Sequence, residues 1–372
     1  MWHNCSVVIL CVALGIAGCS RTKTTPANSW DPKAAAAYLD RRMEWWMGWK
    51  GSSRDHGTFC VSCHTAVPYA LARPSLRTAF AAEGPATDER KLIDDVRERV
   101  RLWNQTQPFY TDEKFGPNKS AQSRGTEAVL SALLMACDDA RSGKLSSDTR
   151  AALANMWGVQ HAGGDDAGAW SWLDFNLAPW EVPDAQYYGA ALAAMAVGVA
   201  PERYQTLPEI QGNLSLLRGY LERNYATQSL HNRVVLLWAS AKLRGLATAD
   251  RHSAIVKEIL RAQNADGGWS LSGLVAQSSK TGLLRDPQSD GYATGLVILV
   301  LEQTGRSGEH AEVQRGLSWL ERNQSAAGFW VATSLNKRRE LSSPVAWFMR
   351  DAATAYAVLA LSESPDRRKR PQ

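Results

Sequence analysis

One pattern recurs in this chain at a fixed distance and limits the possible fold more than any other feature. Gln263, Gly267 and Trp269 reappear as Gln324, Gly328 and Trp330, each 61 residues further on, and Asp290 reappears as Asp351 at the same offset. The flanks follow suit. Residues 258–263 match residues 319–324, and the apolar stretches 292–301 and 352–361 come just after the two aspartates. A period of this length marks an array of supersecondary units, each unable to bury its apolar face alone. Each unit reads as a helix, a Gln-x-x-x-Gly-x-Trp turn, a loop, an Asp at a helix start and a second helix.

Fainter copies extend the array. Residues 151–160, ending in Gln160, lead to Gly168-Ala169-Trp170 and then to Asp184 ahead of 187–199. Residues 216–225 and 233–242 form a unit without the turn motif, and 92–103 with 126–136 form a plausible first one. About five helical hairpins are therefore expected over 86–363. Their second helices, such as 190–196 and 234–239, are apolar almost all round and must be buried on most sides, while the first helices keep a charged face. An inner ring of apolar helices within an outer ring of amphipathic ones makes an all-α, α/α toroid; an open solenoid is the alternative arrangement of the same units.

The composition, 45% hydrophobic and 21% charged, is that of a globular chain. Of a net charge of +5, four charges fall in Arg367, Arg368, Lys369 and Arg370, within a basic tail at 364–372. The body is nearly neutral, so nucleic acid is not an expected partner.

At the other end, residues 6–18 form an apolar run too short to span a bilayer comfortably. It ends in Ile16-Ala17-Gly18-Cys19, which resembles the lipobox of bacterial lipoproteins. The resemblance implies a signal peptide at 1–18, a lipid on Cys19, a tether over 19–30, and a body held on the periplasmic side of the cell envelope. The first four residues carry no Lys or Arg, a departure from the usual positive start. A plain secretory signal or a short membrane anchor is the alternative.

With Cys5 and Cys11 in the signal and Cys19 lipidated, Cys60, Cys63 and Cys137 remain. Three thiols make no disulfide framework. Cys60-Val61-Ser62-Cys63-His64 is the c-type haem attachment pattern, in which two thiols add to the vinyl groups of one haem and the following imidazole becomes the proximal iron ligand. A c-type haem segment at 31–85 with one covalent haem is the leading expectation. A redox dithiol, a disulfide or another metal are the alternatives, weakened by the lack of a second Cys pair and of any surrounding βαβ pattern. Met43, Met47 and His56 are the candidate sixth ligands. Met43 and Met47 also fall in a stripe with Trp45, Trp46 and Trp49, which packing alone explains.

The Gln-x-x-x-Gly-x-Trp turns resemble those of squalene–hopene cyclases, oxidosqualene cyclases and prenyltransferase-like α/α toroids, over about three quarters of the chain. The resemblance implies that each Gln caps a helix end and each Trp packs against it, stapling neighbouring outer helices at Gln263, Gly267, Trp269, Gln324, Gly328 and Trp330, and at Gln160 and Trp170. Asp184, Asp290 and Asp351 are expected at helix N-termini. The chemistry of the family does not carry over. Protonating cyclases use Asp-x-Asp-Asp, which is absent, and Asp94-Asp95-x-x-Glu98 reads as the solvated face of a charged helix. Cys137 is followed by Asp138 and not by a thioester sequence.

Fifteen tryptophans are far more than a chain of 372 residues needs. Trp157, Trp172, Trp180, Trp238 and Trp347 could wall a central cavity for a hydrophobic ligand, or simply fill the core. The long connections 104–123 and 271–289 could form its rim, the second bringing Lys280 and Arg285 toward an anionic head group. The expected whole is an exported, lipid-anchored c-type haem protein in electron transfer or redox chemistry. Its partners would be the membrane through the lipid, a redox protein, and a hydrophobic molecule or partner bound by the toroid. A haem-free toroid enzyme acting on an isoprenoid or a polysaccharide, and a non-catalytic envelope scaffold, are the competing readings.

Overall fold

The computed structural model describes residues 30–80, 84–276, 282–305, 310–340 and 342–363. Cys19, the tether up to residue 29, Lys280 and the basic tail lie outside the described residues.

The helices pair in chain order. The first pair is α1 (Pro32–Gly48) and α2 (Ala66–Ala79). The second is α3 (Thr87–Arg101) and α5 (Lys119–Ala140), with the single turn α4 (Asp112–Phe115) between them. Then come α6 (Ser147–Gly158) with α7 (Ala185–Val199), and α8 (Gln211–Asn224) with α9 (Leu230–Lys242). α10 (Ala249–Arg261) pairs with α12 (Gly291–Gln303) across the short α11 (Leu271–Leu274), and α13 (Ala311–Arg322) pairs with α14 (Phe348–Glu363).

The second members form a ring. α2 packs on α5, α5 on α7, α7 on α9, α9 on α12, α12 on α14, and α14 returns to α2. These helices are apolar all round because neighbours cover them all round: every residue from Gly291 to Leu301 of α12 is buried. The outer helices bury one stripe only, as Ile255, Val256 and Ile259 do on α10. The all-α toroid is therefore closed, and its described residues form six hairpins where about five were expected. The sixth is the 31–80 segment, which stands within the ring as its first hairpin. The toroid has no turn motif between α8 and α9 because only 225–229 separate them.

Three staples of one design hold outer helices together. The side-chain amide of Gln160 donates to the carbonyls of Gly168 and Asn213, both at 3.1 Å. That of Gln263 donates to Gly267 and Glu312, both at 2.8 Å. That of Gln324 donates to Gly328 at 3.2 Å and Asp31 at 2.9 Å, and the Asp31 N–H donates back at 2.6 Å. In each case the second carbonyl belongs to the start of the next outer helix. The indoles of Trp170, Trp269 and Trp330 are fully buried and donate to carbonyls near the end of the preceding outer helix, Met156, Ile259 and Leu320, at 2.6–2.8 Å. The third staple joins the last outer helix to the first, so it closes the ring.

Gly328 has φ +90° and lies against Ala34, whose carbonyl a β-carbon would strike. Gly328→Ala is therefore expected to lose at least about 1–3 kcal/mol from the backbone conformation alone. Gly212→Ala, in α8 with open space around it, should be neutral or slightly stabilising. Urea unfolding of the two variants checks the contrast.

Asp290 caps α12 as expected, accepting from the N–H groups of Tyr292 and Ala293 at 2.9 Å each, and from Leu271 at 2.6 Å. Asp184 holds the N-cap position of α7 without a side-chain capping bond. Asp351 stands at the N-terminal end of α14 as expected, in its first turn, but not as its cap. A 3-10 turn (Pro344–Trp347) runs straight into α14, so the helix begins at Phe348 and Asp351 lies within it.

Candidate functional site

The segment carrying the two cysteines is a short hairpin pinned from outside. Ser53 and Phe59 form an antiparallel bridge, the Cys60 N–H donates to Ser52 at 2.8 Å, and His56 stands exposed near the tip with φ +54°. The Phe59 N–H donates to Asp95 of α3 at 2.8 Å. Arg99 of α3, almost wholly buried, donates to Glu127 of α5 at 2.6 Å, to Thr58 at 2.8 Å and to Asp55 at 3.0 Å. Asp95 is therefore no solvated carboxylate: it is buried, and burial pushes its pKa up to about 7. Asp94 remains exposed and pairs with Arg97.

Cys60 and Cys63 are buried and unpaired, not joined as a disulfide. Burial pushes the Cys60 thiol up to about 12 and Cys63 well above its ordinary value. Both are protonated at neutral pH, which is unlike a nucleophilic dithiol or a thiolate metal site. Among the described residues no three His, Cys, Asp or Glu side chains converge as a metal site. Ser62 caps the start of α2, accepting from the N–H groups of Thr65 and Ala66 at 3.2 and 3.0 Å, and this aims His64 at the ring's seam. The His64 imidazole stacks on Phe348 at 3.8 Å, meets Trp46 edge-on at 5.1 Å and has Trp180 at 6.4 Å. These apolar surroundings, with the Arg42 charge as a lesser cause, lower its pKa to about 3. The ring is neutral at physiological pH.

Beneath it lies a polar cluster that sequence reasoning missed. His64 Nδ1 is 2.9 Å from the Thr65 hydroxyl, which donates to Asp351 Oδ2 at 2.8 Å. Asp351 also accepts from Tyr38 at 2.8 Å and from Arg42 at 2.7 and 2.9 Å. Tyr38 and Arg42 stand one turn apart on α1. The Arg42 guanidinium sits 4.3 Å from the Trp45 ring and 5.1 Å from that of Trp347. Arg42 and Asp351 are 3% and 2% exposed. The site thus stands where α14, the last helix of the ring, meets α1 and the start of α2. Of the candidate sixth ligands, Met43 is fully buried, Met47 is half-buried, and the exposed His56 lies 3.5 Å from Asp55.

The middle of the ring is packed with aromatic side chains. Trp180 donates to the Tyr292 hydroxyl at 3.1 Å, His231 Nε2 lies 2.8 Å from the same hydroxyl, and Tyr356 meets both Tyr292 and Trp238 edge-on. Trp172, Trp180 and Trp238 are buried core residues. Trp157 belongs to the outer layer, bonded to Tyr204 at 3.0 Å, and Trp347 lies over Arg42. The largest of the described cavities, about 530 Å³, opens at the rim instead, between residues 50–55 and 107–115. The expected rim loop 104–123 thus lines a cavity, though not a central one. Its walls include Phe109, Tyr110 and Phe115 together with Lys50, Arg54 and Lys114, and none of these three cations pairs with a carboxylate among the described residues. Arg285, on the other long connection, is exposed.

No family model matches the chain, and no curated protein matches it. Among solved structures it is similar to a polysaccharide lyase at 13% identity and a TM-score of 0.37, over 93% of this chain and 92% of that one. A likeness at that level carries no argument about activity. No helix of the described residues is long and apolar enough to cross a membrane.

Proposed function

We propose that this is an exported, lipid-anchored c-type haem protein of electron transfer or redox chemistry, with Cys60 and Cys63 as the attachment thiols and His64 as the proximal ligand. The observation that carries the reading is the donor set. Two neutral, unpaired thiols stand three residues apart, next to a neutral imidazole whose Nδ1 is engaged and whose Nε2 has no hydrogen-bond partner among the described residues. Thioether formation needs reduced, unpaired thiols, and iron ligation needs that nitrogen. A bound haem would supply a one-electron carrier. The chain's own task is to hold it, to surround it with Trp46, Trp180 and Phe348, and to orient His64 from Thr65 and Asp351. The lipid on Cys19 would keep the protein at the membrane surface. A pyridine haemochrome spectrum of the exported chain, together with Cys60→Ser and Cys63→Ser, tests the reading.

The rim cavity supports an anionic partner or substrate, since Lys50, Arg54 and Lys114, none paired with a carboxylate among the described residues, line it beside aromatic walls, and its one lining carboxylate, Asp55, is held by Arg99. In the haem-loaded protein, Lys50→Glu with Lys114→Glu is expected to slow oxidation by ferricyanide roughly tenfold at low salt, where steering by charge acts. Oxidation by the cation hexaammineruthenium(III) should not slow. Stopped-flow traces at two ionic strengths make the comparison; equal effects on both oxidants would remove the anionic partner from the proposal.

A further inference from the structure

We infer that Thr65 and Asp351 are positioning residues that fix His64 in the Nδ1–H tautomer and so present the bare Nε2 lone pair as a ligand. Asp351 takes a donor at each of four places: Tyr38 and Arg42 Nε on Oδ1, Arg42 Nη2 and Thr65 on Oδ2. An ionised carboxylate can only accept, so the single hydroxyl proton of Thr65 is committed to Oδ2. What Thr65 turns toward His64, 2.9 Å away, is a lone pair. Nδ1 must then carry the proton, and in a neutral ring Nε2 has none.

Arg42 and Tyr38 matter because they leave Asp351 no freedom. They hold both oxygens from the α1 side, so the carboxylate keeps one orientation and its remaining acceptor site points at Thr65. The charge of Asp351 is felt at the imidazole through the hydroxyl. When Nε2 ligates iron, a hydrogen-bonded anion behind Nδ1 makes the ring a stronger donor and favours the ferric state. Removing the bridge is therefore expected to raise the midpoint potential. The tautomer stands by itself; the effect on potential rests on the haem reading.

The test uses the full chain in two forms. In the protein made without haem, long-range ¹H–¹⁵N correlation is expected to show His64 Nδ1 protonated and Nε2 bare. Thr65→Val keeps the side-chain shape, leaves the Asp351–Arg42 pair in place, and should shift the ring toward the Nε2–H form that free imidazole side chains prefer. Thr65→Ser should restore the wild-type pattern. In the haem-loaded protein Thr65→Val should keep its covalent haem and titrate at a higher potential, with Thr65→Ser returning to the wild-type value. A wild-type ring protonated on Nε2, or a Thr65→Val ring indistinguishable from wild type, overturns the inference. The wild-type Nδ1–H pattern in a chain that never acquires haem supports the relay and sinks the haem reading instead.

Discussion

Asp351→Ala is expected to destabilise the protein by about 3–5 kcal/mol, the usual cost of leaving a buried charge without its partner. Arg42 would keep its guanidinium in a site 3% exposed, with only the Pro344 carbonyl at 3.0 Å still accepting from it among the described residues. Tyr38 and Thr65 would lose their acceptor as well. The same change at Asp290, the equivalent position one repeat earlier, removes a helix cap and should cost about 1–2 kcal/mol. Urea unfolding of the two variants, together with Asp351→Asn, reads the difference. A loss at Asp351 no larger than at Asp290 would make it an ordinary repeat residue and remove the support proposed for His64.

The second large effect concerns the thiols. Exported through a cytochrome c maturation system, Cys60→Ser and Cys63→Ser should each leave a folded ring that has lost most of its covalent haem, and the double variant should have none. Folding is expected to survive because each thiol is a small buried group, whereas the ring is held by staples and apolar helices elsewhere. Circular dichroism and intact mass separate the outcomes. Full covalent loading of either single variant at wild-type yield would count against the assignment of both sulfurs.

Much of the scaffold was legible from the repeat. The 61-residue offset placed the Gln, Gly and Trp staples because the same backbone geometry recurs at Gly267 and Gly328, with φ of +97° and +90°. Alternation of apolar and amphipathic segments separated inner from outer helices. The count fell one short because α1 and α2 carry no turn motif, and their Cys-x-x-Cys-His signature reads as a separate module. The cluster under His64 was hidden for a different reason. Asp351 aligns with a capping residue, and nothing in its neighbourhood reveals that α14 starts three residues earlier, which leaves it in the first turn with its side chain free to bond across to α1. Its partners Tyr38 and Arg42 are more than 300 residues away in sequence. Asp95 was misread because it lies in a charged string, where only the tertiary contact with Phe59 shows that it is buried. The tryptophans could be counted, but sequence could not show that Trp180, Tyr292 and Tyr356 interlock across the middle of the ring.

We propose that the ring's closing seam is a haem attachment site. A pyridine haemochrome spectrum, taken on the wild-type chain exported through a cytochrome c maturation system, addresses it most directly. The account predicts one haem per chain, with the α band of thioether-linked haem and resistance to acid–acetone extraction. A folded, colourless protein in which Cys60 and Cys63 are both free to alkylate after unfolding would contradict it.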